Sequence, residues 1–280
     1  MNQFQRTTKY IAMTFAVILA VGIITAITGV VLNVLSAVTG APIFGNKNRI
    51  DIAYDFTGVE SLSIDNSAGS LEIRTGDTFR VEGKKVLESF KAELTQDGTL
   101  VVSEHIKNRF LWFDFDWFGS PNSKITVYLP EDFVAERAML DTGAGNTKIE
   151  ALRAEDLTIS AGAGNLNGDQ IVADKVKLDG GVGSFTLSGV SFNNADIDCG
   201  VGSLRIEGEL FGHSKIDCGV GDVKLDLVGS REDYNLNVDA GVGSVRVNGE
   251  KFSDSNHNEN AEYSLKVDGG VGKVSIDFRN

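Results

Sequence analysis

Val176-Lys177-Leu178-Asp179-Gly180-Gly181-Val182-Gly183-Ser184-Phe185-Thr186-Leu187 is the stretch that decides the fold of this 280-residue chain. Two short alternating apolar/polar runs flank a centre of the form Asp-x-Gly-Val-Gly. Eight copies approximate that centre, beginning at Asp65, Asp141, Ser160, Asp179, Asp198, Asp217, Asp239 and Asp268. The final glycines Gly145, Gly164, Gly183, Gly202 and Gly221 recur at one constant step. A fixed period near 20 residues is the signature of a solenoid, in which each repeat buries its apolar face only against its neighbours.

The flanking runs give the rung its form. Leu157-Thr158-Ile159-Ser160 and Leu236-Asn237-Val238-Asp239 precede the centre, and Leu204-Arg205-Ile206-Glu207 and Val223-Lys224-Leu225-Asp226 follow it. Period two with abundant β-branched residues describes half-buried strands. The parity turns Val176, Leu178 and Gly180 inward and Lys177 and Asp179 outward. Glycine is expected at the junction because a sharp corner takes the backbone to φ > 0, where a Cβ is costly. The Asp is expected to close the corner as an Asx turn, accepting from main-chain N–H groups two residues on. The Ala or Val between the glycines, apolar in every copy, is expected to plug the corner of the core. After residue 40 no segment has a helical period, so a βαβ architecture is excluded. The expected fold is all-β, a parallel β-solenoid or β-helix with three sides and about 19 residues per rung.

The period fails at both ends. The last two steps, from Gly221 to Gly243 and from Gly243 to Gly272, are longer than the rest, with additions around Gly229–Asn235 and in the polar run Phe252–Tyr263. Gly69 precedes Gly145 by four regular steps, but the intervening chain departs from the pattern. There, Glu93 to Val102 reads as an antiparallel hairpin around Asp97-Gly98, and Lys124 to Pro130 as a strand. Residues 51–135 are therefore expected to form an atypical, partly antiparallel N-terminal portion, and residues 136–280 the regular repeats.

The N-terminus is a different object. Tyr10 to Val38 contains no charged residue and is long enough to cross a bilayer as one transmembrane helix. Residues 1–9 then form a cytoplasmic N-terminus and 39–50 a linker. A cleaved signal peptide is the alternative, but its apolar core is only about 7–15 residues. Arg6 and Lys9 before the span favour a cytoplasmic N-terminus and an extracytoplasmic C-terminal domain, a single-pass arrangement in the cell membrane. The net charge of the chain is −13. Residues 1–50 hold four basic and no acidic residues, and subtracting these from −13 leaves −17 for residues 51–280. Such a domain repels nucleic acid and anionic lipid, so attachment falls to the helix. Cationic peptides, divalent cations and neutral glycans remain as partners.

Candidate chemistry is sparse. The stacked Asp column suggests calcium binding, but calcium-binding β-rolls have a nine-residue period, which leaves Asx capping as the expected role. Cys199 and Cys218 fall in one column of small residues. They are expected as two buried thiols, because in-register side chains of parallel strands point the same way. The outward column of Arg74, Lys148, Thr186, Arg205, Lys224 and Arg246 is mixed in charge and suits a solvated face. No nucleophile–base order, HExxH or phosphate loop is present, and no cofactor or metal site is expected. The aromatic stretch Phe110 to Phe118 concentrates both tryptophans. Trp112, Phe113, Phe115, Trp117 and Phe118 are the candidate partner contacts, with capping of the solenoid end as the alternative.

The Leu-x-Ile-Asp-x-Gly-Val-Gly-Ser-Leu-x-Ile repeats, the Asp97-Gly98-Thr99-Leu100-Val101-Val102 hairpin and Val127-Tyr128-Leu129-Pro130 resemble the bacterial β-strand-repeat proteins called putative adhesins, a domain family of unknown function. The resemblance covers roughly residues 50–280. It implies a membrane-anchored module that binds or scaffolds an envelope partner, whether protein, peptide or glycan, in adhesion or envelope stress. It supplies no catalytic residues. The competing functions are a polysaccharide-active β-helix enzyme and a passive spacer.

Overall fold

The computed structural model describes residues 49–104, 123–252, 258 and 261–279. These form one 18-stranded sheet. No helix among them is long and apolar enough to cross a membrane, and the predicted span 10–38 lies outside them. The N-terminal portion holds β1 (Arg49–Phe56), β2 (Ser61–Ala68), β3 (Ser70–Gly76), β4 (Phe79–Leu87), β5 (Lys91–Leu94), β6 (Thr99–Glu104) and β7 (Lys124–Pro130). The repeats proper are β8 (Ala135–Ile149), β9 (Leu152–Asp169), β10 (Ile171–Asn193) and β11 (Ala195–Phe211). The C-terminal part has β12 (His213–Val220), β13 (Val223–Val228), β14 (Tyr234–Asp239), β15 (Val242–Val247), β16 (Glu250–Lys251), β17 (Tyr263–Asp268) and β18 (Val271–Arg279).

The repeat period is the inter-rung register. Met139 stacks on Thr158, Thr158 on Lys177, Lys177 on Asp196 and Asp196 on Lys215, all in parallel. Parity acts as expected along the strands, with Val176 and Leu178 buried and Lys177 exposed. In two successive rungs the backbone takes positive φ at three places. In one they are Gly183, Gly189 and Asn194, and in the next Gly202, Gly208 and Gly212. β10 runs on through Gly183 and Gly189 and ends before Asn194, and β11 runs through Gly202 and Gly208 and ends before Gly212.

The inward column behind the corner shows how volume is balanced within a rung. At Gly180 an added Cβ would lie 2.4 Å from Cε2 of Phe185. The ring fills the space that Cys199 and Cys218 occupy in the next two rungs, where the residues five positions on are the smaller Leu204 and Val223. Close packing requires this compensation. Cys199 and Cys218 stack in register as free, buried thiols. A hydrogen bond with Cys199, reinforced by burial, pushes the Cys218 thiol up and keeps it protonated.

Rung order departs from sequence order at both ends. β6 and β7 pair outside β2 and β3, which in turn pair with β8. Ala68 and Ala144, four regular steps apart in the chain, are therefore immediate neighbours. β4 continues the edge antiparallel to β7, and β1 pairs antiparallel with β4. The predicted hairpin around Asp97-Gly98 is present as β5–β6. At the other end β17 and β18 insert between β12–β13 and β14–β15. The lengthened C-terminal steps are thus jumps across a layer, with Val220 beside Val271 and Val242 on its far side. The short connection from Val228 to Tyr234 can span two layers, about 10 Å, because extended chain covers roughly 3.3 Å per residue. β16 folds back on β15, and the Phe252 N–H donates to the Val245 carbonyl (3.1 Å), covering part of the last edge.

A candidate docking edge

The glycine corner differs from its expected form in two ways. First, the Asx bond occurs where the corner is tight: Gly241 N–H donates to Asp239 Oδ1 (2.7 Å) and Gly270 N–H to Asp268 Oδ1 (3.2 Å). There Gly241 and Gly270 lie at φ 54° and 51°. At Asp179 and Asp198 the strand runs on through the corner, and Gly183 and Gly202 lie at φ 156° and 146°.

Second, the valines do not plug the core. Val182, Val201, Val220, Val271 and Val242 are 56%, 43%, 46%, 37% and 66% exposed. A convex corner has more outside than inside, and the strict alternation of a straight strand lapses there. The register stacks these five side chains into one continuous ridge. Ala163 and Ala144 continue the line, and Ala68 is buried at its end. The alanines show that the corner forms without a branched side chain. Five half-exposed valines leave roughly 1 kcal/mol each of burial ungained by folding.

Charge lines one flank of the ridge. Asp179, Asp198, Asp217, Asp268 and Asp239 stack in the same order, three residues before each valine. Lys177 pairs with Asp179 at 3.1 Å and Lys215 with Asp217. These contacts hold both lysines above the ordinary lysine range, chiefly through the hydrogen bond to the carboxylate. Among the described residues Asp198, Asp239 and Asp268 have no ion pair. The other flank carries Ser184, Ser203, Asp222, Lys273 and Ser244, one charge of each sign, and is bonded along the stack: Ser203 Oγ donates to Ser184 Oγ (3.1 Å) and Lys273 N–H to Asp222 Oδ1 (3.0 Å).

The candidate contacts Trp112, Phe113, Phe115, Trp117 and Phe118 lie outside the described residues. In the sequence they fall between Glu104, which pairs with Asn66, and Lys124, which pairs with Ser70. Most of the polar run Phe252–Tyr263 is likewise outside. The ridge itself was signalled in the sequence by a column that changes from Ala to Val, but strand parity pointed it inward.

The face formed by the second strands has another character. Glu72 pairs with Lys124 and Arg74, each at 2.7 Å, and the Lys124 hydrogen bond chiefly lowers its pKa. Asp226, only 3% exposed, is held by Arg205 (2.9 Å), Arg279 (3.1 Å) and Lys224 (3.4 Å). Burial works to raise its pKa, but the cations led by Arg279 and Lys224 outweigh it and the carboxyl titrates low. These paired charges tie rungs together and leave no free acid–base pair among them. A depressed carboxyl adds stability above its unfolded value, about 3.9, which is lost as pH falls through the folded value. Asp226→Asn should cost about 1–2 kcal/mol at pH 7. The gap between its melting temperature and that of the parent should narrow as pH falls below about 5 and close as it passes the lowered folded value. A gap that stays constant over that range would show that the charge of Asp226 is not what stabilises the fold.

Among the described residues no three His, Cys, Asp or Glu side chains are grouped to hold a metal ion. The family model described as Toastrack DUF4097 matches residues 59–264. Among solved structures, the chain is similar to a putative cell adhesion protein from Clostridium sporogenes, at 14% identity and a TM-score of 0.32, over 83% of this chain and 100% of that one. It is also similar to a putative adhesin from Bacteroides fragilis, at 15% identity and a TM-score of 0.37, over 84% of this chain and 99% of that one. None of the curated proteins matches the chain.

Proposed function

The chain belongs to the Toastrack DUF4097 family, and we propose that its solenoid is a non-catalytic module that docks or scaffolds a cell-envelope partner along the valine ridge. The apolar run 10–38 holds it in the cell membrane as a single span, with the repeats outside the cytoplasm. The observation that carries this reading is the ridge: five stacked valines left half-exposed at corners that alanine also forms. An exposed, contiguous apolar line is the ordinary mark of an interaction surface. A catalytic reading finds no comparable support, since Arg74, Lys124, Arg205 and Lys224 of the second-strand face are paired with Glu72, Glu207 and Asp226.

The test is a photo-crosslinking amino acid placed in cells at Val201, with Arg153 on another part of the rung as the control position. A discrete adduct at 201, absent at 153 and lost when Val182 and Val220 are changed to Thr, is the expected result. Equal adducts at both positions, or none at 201, would remove the ridge from the function. Protease added to spheroplasts should digest the repeats while sparing cytoplasmic proteins. Turnover of envelope glycans by the purified chain would replace the docking reading with the enzymatic one.

A further inference from the structure

We propose that the occupant of the ridge is a basic amphipathic α-helix, laid along the solenoid axis with its apolar stripe on the valines and its lysines or arginines over the aspartate ladder. This rests on the docking reading above and specifies the chemistry of the partner.

Spacing selects the helix. The rungs repeat every ~4.8 Å, so the five valines span about 19 Å. An α-helix brings one face round every ~5.4 Å, close to one turn per rung, and drifts only about 2.4 Å over the whole ridge. An extended strand returns to the same face every ~6.7 Å and is out of step by the second rung. About 13 helical residues cover the distance, at roughly 1.5 Å each. Width agrees as well. Each Asp lies three residues from its valine, at most about 10 Å of extended chain, and a helix with its side chains is about 10–12 Å across.

Charge selects the sign. Val182, Val201, Val220, Val271 and Val242 run beside five stacked aspartates, of which Asp198, Asp239 and Asp268 lack an ion pair among the described residues. The opposite flank, Ser184, Ser203, Asp222, Lys273 and Ser244, carries one charge of each sign and no net charge. A partner with lysines on the ladder side of its apolar stripe meets the carboxylates of Asp198, Asp239 and Asp268, whereas an acidic one is repelled by them. A second copy of the chain is disfavoured by the same field, because residues 51–280 carry −17 when the four basic residues of 1–50 are subtracted from −13.

The experiment uses the full chain in zwitterionic nanodiscs and a dye-labelled peptide of leucine and lysine, about 18 residues long so that it outreaches the ridge. Its leucines form one helical stripe and its lysines lie beside it. A scramble of the same composition and a version with glutamate for lysine serve as controls. Anisotropy should show the striped peptide binding at least 10-fold tighter than the scramble, with the acidic version not binding. The V182T/V201T/V220T variant should lose at least 10-fold, with its melting temperature unchanged. Should that variant melt early, V201K, a single exposed change, should give the same loss. D198N/D268N, which keeps an amide oxygen for the corner at position 268, should weaken binding and flatten its salt dependence. Equal binding of the scramble, or unchanged affinity in the valine variants, would overturn the proposal. So would a parent dimer that the valine variants dissociate, because the ridge would then be a self-association surface. Failure of every peptide while the Val201 crosslinker still captures a partner would discard the basic helix and leave the docking edge. Failure of both would discard both.

Discussion

Gly202→Ala is expected to lower stability by about 4 kcal/mol and the melting temperature by roughly 10 °C. The residue lies at φ 146°, and a Cβ built there would stand 1.7 Å from the carbonyl oxygen of Gly183 on the preceding rung. The obstacle is backbone, so no rotamer relieves it. The rung must move by roughly 1 Å or more, to ordinary contact distance, against a ladder that continues on both sides. A Cβ at Gly221 would in turn stand 1.5 Å from the Gly202 oxygen. Gly58→Ala is the control. Gly58 has φ 76°, but nothing lies within 4 Å of its added Cβ, so only the left-handed strain of about 1 kcal/mol is expected. Thermal melting of the two variants side by side isolates the inter-rung term. Equal shifts would mean that the corner tolerates a side chain and that the glycines recur in the repeat for some reason other than stacking. The same glycines hold the valines outward at rung spacing, so Gly202→Ala should also impair whatever binds the ridge.

Much of this arrangement was legible in the chain. The regular recurrence of Gly145 to Gly221 predicts the register of β8 to β11, and alternation places Val176 and Leu178 inside and Lys177 outside. Asp97-Gly98 between two apolar runs predicts the β5–β6 hairpin. The order of the outer rungs was not legible. A copy of the repeat specifies which side chains enter the column, and any copy fits beside any other. The neighbours Ala68–Ala144 and Val220–Val271 depend instead on the lengths of the connections and on the aromatic packing at the ends. The docking edge was hidden for a different reason. Period-two parity holds along a strand and fails at a corner, where Val201 points out although the residues before and after the corner, Ile197 and Leu204, are buried. The compensation of Gly180 by Phe185 was visible in principle, as a missing side chain matched by a larger one five residues later.

Tyr234→Ala tests the interchanged rungs and is expected to cost about 3–5 kcal/mol. Tyr234 is 2% exposed, and burial, the largest influence on it, pushes its phenol up to about 12. Its ring stands 5.4 Å from that of Tyr263 and 5.1 Å from that of Phe278, and Tyr263 in turn stands 5.4 Å from Phe211. One aromatic stack therefore joins β11, the inserted rung and the last rung. Each such pair adds roughly 0.5–1.5 kcal/mol beyond the area it buries. Solenoid stability is a sum of neighbour terms, so the loss should be local. Hydrogen exchange should accelerate over 234–247 and 263–279 together, while β9 and β10 keep their protection. If β14 and β15 alone lost protection, the inserted rung would be held by β12 and β13 without the stack. If protection fell uniformly, the molecule would be one cooperative unit, and the layer-by-layer description of its stability would have to be abandoned.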